Sequence, residues 1–151
     1  MGRVSQYTLL DDCRVLVSKP EEAGYSSSEC PGLGGFALRL INADARQNLF
    51  VKTPSGDEHS LRLSEAAGSG FSRIGERIEW RGTMEGRTFK PDAIVLRYYV
   101  VEGEGAEETA YLLPVKLTSG PPCVADRFAP GQDQSKQARR AADSPMSCLK
   151  R

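Results

Sequence analysis

Histidine is nearly missing from this chain: His59 is the only one among 151 residues. The four cysteines form no Cys-x-x-Cys pair, so the ligand spacing of a zinc site is lacking and no metal or cofactor is expected. No apolar run approaches the roughly 20 residues of a membrane-crossing helix. Charge of one sign is not in excess either. Twenty Lys and Arg balance twenty Asp and Glu, interspersed along the chain, so no global field favours nucleic acid or anionic lipid. The opening residues, Met-Gly-Arg-Val-Ser-Gln, have no apolar leader core, and Gln6 stands where a myristoylation site has Ser or Thr. The expectation is a mature exported chain without its leader.

Two motifs are missed narrowly. Gly32-x-Gly34-x-x-Ala37 spells a relaxed dinucleotide fingerprint, but that motif needs a strand before it and a helix after it to seat phosphate. Serines precede these glycines and a period-two run follows. Gly70-Phe71-Ser72-Arg73-Ile74-Gly75 is one residue too long for the strained serine-hydrolase elbow.

What the chain does have is one domain's worth of β pattern, from residue 1 to 151. Pro31 and the glycines at 32, 34 and 35 make a sharp corner. Phe36, Leu38 and Leu40 then alternate with Ala37, Arg39 and Ile41, the signature of a strand with one apolar face. Further strands are expected at Tyr7–Leu10, Arg14–Ser18, Gln47–Thr53, His59–Leu63, Arg77–Arg81, Ala93–Val101, Thr109–Thr118 and Cys123–Phe128. Pro54-Ser55-Gly56-Asp57 marks a hairpin turn, and Gly82–Gly86 a second. Glu21–Ser28 reads as a polar loop or hairpin tip, Ser64–Gly75 as a mobile connection and Glu102–Glu108 as an acidic hairpin tip. Good helix formers between Asp133 and Asp143 predict one carboxy-terminal helix, N-capped by Asp133 and stopped by Ser144-Pro145. Its alanine face should dock on the sheet and its arginines should lie in solvent. The fold class is mainly β (α+β): an antiparallel sheet, small barrel or sandwich, with that helix and two disulfides.

Widely spaced, even-numbered cysteines suit structural bridges in an oxidising compartment, periplasmic or extracellular. Of the three possible connectivities, Cys13–Cys30 with Cys123–Cys148 closes two local loops, each bridge contributing on the order of 3 kcal/mol in the chain-entropy account. The competing reading is four buried thiols in a cytosolic protein.

The order Tyr7-Thr8-x-Leu10, Cys13, Cys30-Pro31-Gly32-x-Gly34-Gly35, Asp44-x-Arg46, Trp80, Cys123, Ala138-Arg139-x-x-Ala142-Asp143 and Cys148 resembles an uncharacterised set of secreted proteobacterial proteins. That resemblance implies export and disulfides, not a mechanism. In size, β content and cysteine use the chain is also similar to periplasmic lysozyme inhibitors, with no inhibitor motif to transfer residue by residue.

These features point to a binding or inhibitory module whose partner is another protein or a cell-envelope component. Asp44 and Arg46 are expected to form a polar cluster at a strand end, and Trp80, Arg81, Tyr98 and Tyr99 are the candidate contact residues. Against this, large aromatics such as Trp80 and one of the tyrosines are ordinarily core. A small hydrolase using His59 or a carboxylate pair is the alternative, since a catalytic histidine needs an orienting partner and a nucleophile. A structural envelope protein is the third reading.

Overall fold

The structure, a computed structural model, describes residues 2–102, 105 and 107–149. The strands run in order as β1 (Arg3–Leu9), β2 (Arg14–Lys19), β3 (Tyr25–Cys30), β4 (Ala37–Ala43), β5 (Arg46–Lys52) and β6 (Glu58–Ser60). Helix α1 (Leu63–Ala67) follows, then β7 (Ser72–Ile74), β8 (Arg77–Glu85), β9 (Thr88–Val101), β10 (Glu108–Lys116), β11 (Cys123–Val124) and helix α2 (Gln134–Ala142). One sheet has the order β2-β3-β4-β5-β6; the other is β1-β8-β9-β10-β11, with β7 also paired to β9. All pairings are antiparallel.

Alternation explains how the sheets stack. Leu38, Leu40, Leu49 and Val51 from the five-stranded sheet share one buried cluster with Ile78, Trp80, Ile94, Leu96, Tyr98, Val100 and Leu113 from the six-stranded sheet. The two sheets therefore form a sandwich. The opposite face of β9 and β10 supplies Ala93, Val95 and Leu112, which pack with Ala138 and Ala142 of α2 in a second cluster. Helix α2 is a third layer, on the outer face of the six-stranded sheet.

Strand β9 is the spine of that sheet. Its first half pairs with β8, from Thr88 to Val95, and its second half pairs with β7, from Tyr98 to Val100. Strand β10 runs along its other side. Between β7 and β8 the residues Gly75 and Glu76 leave a gap in the ladder, closed by the Gly75 N–H donating to the Arg97 carbonyl at 2.8 Å.

Several boundaries differ from the sequence reading. The supposed loop at 21–28 holds most of β3, whose Ser27 and Ser28 are buried. Serines favour loops by propensity, yet here they fill a strand flanked by β2 and β4. The supposed mobile connection at 64–75 contains α1 and β7, because Leu63, Ala66 and Ala67 are buried in the core. The return arm at 59–63 is shorter, ending at Ser60. The strand at 77–81 continues through Gly82 to Glu85, with a register shift between Arg81 and Gly82. A Cβ at Gly82 would lie 2.0 Å from the Lys90 carbonyl oxygen, so only glycine permits this close approach. The last strand is two residues long, followed by an isolated bridge from Leu112 to Phe128. The acidic tip at 102–108 lies partly outside the described residues.

Both disulfides, Cys13–Cys30 and Cys123–Cys148, pair as expected. The first ties the start of β2 to the end of β3. All six residues of β2 are exposed at the sheet edge. No helix among the described residues is long and apolar enough to cross a membrane.

Candidate functional site

Trp80 and Tyr98 are fully buried, at 0% exposure, and cannot reach a partner. Each is core with its polar atom satisfied: the Trp80 indole N–H donates to Thr8 Oγ1 at 2.9 Å, and the Tyr98 hydroxyl donates to the Gly68 carbonyl at 2.9 Å. Their position follows from period two. Trp80 shares the inward face of β8 with Ile78, and Tyr98 that of β9 with Leu96 and Val100.

Asp44 and Arg46 do meet. Asp44 and Ala45 both take positive φ, 52° and 57°, making the tight turn between β4 and β5. Arg46 Nη1 donates to the Asp44 carboxylate at 2.9 Å and to its carbonyl at 2.8 Å, while Nε donates to the Ser69 carbonyl at 2.7 Å. The guanidinium also sits 5.0 Å from the Phe71 ring centroid. This cluster staples the hairpin to the segment before β7.

Arg81 is committed as well. It forks onto Asp143, Nε to Oδ1 at 3.0 Å and Nη2 to Oδ2 at 2.6 Å, and Nη1 donates to Ser5 Oγ at 2.8 Å. The Ser5 hydroxyl donates in turn to Glu79 at 2.5 Å, and Glu79 accepts from Arg139 Nε at 2.8 Å. On the other side Arg3 bridges Asp143 at 3.1 Å and Asp92 at 2.6 Å. The result is a ladder of alternating sign, Asp92–Arg3–Asp143–Arg81–Ser5–Glu79–Arg139, which joins α2 to β1, β8 and β9. The helix arginines are exposed as expected, Arg139 included, but register also brings Glu79 within reach of the Arg139 guanidinium. Burial alone would raise the Asp143 pKa, but the hydrogen bonds from Arg81 and Arg3 outweigh it and hold the carboxyl below its ordinary value. Glu79 acts mainly through its hydrogen bond to hold Arg139 protonated above the ordinary arginine value.

Where the ladder ends, a cleft begins. Helix α2 covers only part of the sheet, and the uncovered part lies over the gap between β7 and β8. Val95 and Leu112, each 5% exposed, form an apolar floor in a cavity of about 330 Å³. Val95, Arg97 and Tyr99 share the outward face of β9, so the two polar side chains stand beside that floor. Tyr7 and Arg77 form one wall, with the Arg77 guanidinium 4.5 Å over the Tyr7 ring. Ser135 and Arg139 of α2 also line the cleft, Arg139 beside the Tyr7 hydroxyl. Arg73, paired to Glu108 at 2.9 Å, lies 3.7 Å over the Tyr99 ring and fixes it.

The positioning of Arg97 is specific. Gln134 is buried in the first turn of α2, and its Nε2 donates to the carbonyls of Ala110 and Phe128 at 2.7 and 2.9 Å. Its Oε1 therefore faces Arg97, whose Nη1 donates to it at 3.4 Å. Arg77 and Arg97 have no carboxylate partner among the described residues. At the rim, the neighbouring Asp11 side chain raises the Glu76 pKa, chiefly through hydrogen bonding and then through charge repulsion.

His59 lies elsewhere, opposite Val51 on edge strand β6. Among the described residues no group of three or more His, Cys, Asp or Glu side chains is placed to hold a metal. Of the candidate contact residues read from the sequence only Tyr99 lines the cleft; Tyr7, Arg77, Arg97 and Arg139 are not among them. Alternation could have grouped Val95, Arg97 and Tyr99, but which strands lie beside β9 depends on register, which no local pattern encodes. No family model, curated protein or solved structure matches this chain.

Proposed function

We propose that the chain is a periplasmic or secreted binding module that contacts a protein or cell-envelope partner through the cleft beside α2. An inhibitory role, like that of the periplasmic lysozyme inhibitors it resembles in size, β content and cysteine use, is the form of binding to test first. One observation carries this reading: among the described residues, Arg77 and Arg97 stand without carboxylate partners in a cleft lined by Tyr7 and Tyr99 over an apolar floor. Arginine and tyrosine are the residue types that dominate binding energy at protein contacts, and concave sites with a few convergent polar groups are the default binding sites of a fold. Two intact bridges support the oxidising compartment.

Affinity capture from a periplasmic extract, with purified lysozymes added as candidates, compares the wild type with an Arg77→Ala/Arg97→Ala double variant. The expected result is a partner retained by the wild type and by Asp44→Ala/Arg46→Ala but lost by the double variant at unchanged melting temperature. Equal retention by all three proteins removes the cleft from the reading.

A further inference from the structure

The cleft's charge and size define its ligand more narrowly. Three guanidiniums, from Arg77, Arg97 and Arg139, face two carboxylates, from Glu76 and Glu79. Arg139 and Glu79 neutralise each other. Arg77 and Arg97, over the floor, favour one negative charge there, while Glu79 and the Glu76–Asp11 pair at the rim disfavour a polyanion, which would meet them at close range. The guanidinium fork matches a planar carboxylate through two parallel N–H···O bonds. Below the arginines, Val95, Leu112 and the tyrosine rings offer apolar and aromatic surface. A cavity of about 330 Å³ lies at the small end of ligand sites, which run from about 300 to 1,000 Å³. It suits one residue-sized body and not an oligosaccharide or nucleotide.

We infer, resting on the binding reading above, that this cleft takes a monoanionic carboxylate with an apolar or aromatic body next to it. Arg97, aligned by Gln134, and Arg77, aligned over Tyr7, grip the carboxylate, and the body lies on Val95 and Leu112. The same chemistry is offered by the carboxy-terminal residue of a peptide and by a free small carboxylic acid.

The test is a titration of isotope-labelled protein followed by amide chemical shifts. The probes are N-acetyl-phenylalanine, its carboxamide, acetyl-Ala-Ala-Phe and inorganic phosphate. The free acids are expected to shift the amides of Tyr7, Arg97, Tyr99 and Ser135 and to bind at least tenfold tighter than the carboxamide. Tighter binding of acetyl-Ala-Ala-Phe than of N-acetyl-phenylalanine assigns the natural source to a peptide terminus; equal binding assigns it to a free acid. Arg97→Ala should weaken the acids tenfold or more, Arg97→Lys less, and Arg140→Ala, on the exposed side of α2, not at all. If acid and carboxamide bind the cleft equally, or phosphate binds tighter than either acid, the carboxylate assignment is overturned while the cleft remains a contact surface. If no probe shifts the cleft amides, the inference fails, and loss of partner capture by the Arg77→Ala/Arg97→Ala protein then shows that the broader reading survives it.

Discussion

Trp80 carries one hydrogen bond and no solvent exposure, and the two facts set separate costs for substitution. Trp80→Ala empties a large core volume and should destabilise by about 3–5 kcal/mol. Thr8→Val keeps the shape but strands the indole N–H, at about 1–3 kcal/mol. Urea unfolding of both variants checks the pair, and similar losses would mean that volume is not what Trp80 mainly contributes. Titration works through other residues. Asp143 and Glu108 have pKa values below their ordinary 3.8 and 4.5, so their contribution is present above those values and is lost as pH falls through the folded ones. Glu76 is shifted the other way. Its contribution is present below 4.5 and is lost as pH rises through its raised value. Asp143→Asn should therefore flatten the acid side of a stability–pH curve below 3.8. Glu76→Gln should flatten the decline just above 4.5.

At the scale of elements, α2 has three attachments: the alanine face, the ionic ladder and the Cys123–Cys148 bridge. A helix of nine residues is marginal alone in water, so its order measures those attachments. Cys148→Ser should speed amide exchange across α2 while the sheets stay protected. Unchanged exchange would assign the helix to the ladder and Ala138 alone. The helix and the long strands were readable because each repeats one period over enough residues. Strand β3 was not, since Tyr25-Ser26-Ser27-Ser28-Glu29-Cys30 has no apolar alternation and is a strand only because both neighbours pair with it. Helix α1 was missed for a related reason: it spans five residues, too few to display a period. At Gly82 a turn signal marked a crowded crossing of strands instead.

For the whole molecule, the two bridges lie in different layers. Cys13–Cys30 serves the edge of the five-stranded sheet, where β2 exposes every residue. Cys13→Ser/Cys30→Ser should lower stability by about 3 kcal/mol and deprotect β2 and β3 first, with exchange in β8, β9 and β10 little changed; uniform deprotection would show that the sandwich unfolds as one unit. Of the candidate site, the sequence disclosed residue types and not their company. Asp44 and Arg46 are two residues apart and meet through a local turn, whereas Tyr7, Arg77, Arg97 and Arg139 come from four elements and meet only through the order β1-β8-β9 and the docking of α2.

The ionic ladder also dictates an order of events. Arg3 and Asp143 are 140 positions apart, so their bond closes a loop that contains both sheets. Strands β1 through β11 precede α2 in the chain, and the helix packs on the outer face around Ala93, Val95 and Leu112. Closing so long a loop costs entropy that only an already assembled scaffold can offset. The helical layer is therefore expected to dock after the sheets have paired, and the cleft, which Ser135 and Arg139 help to line, is complete only once it has docked.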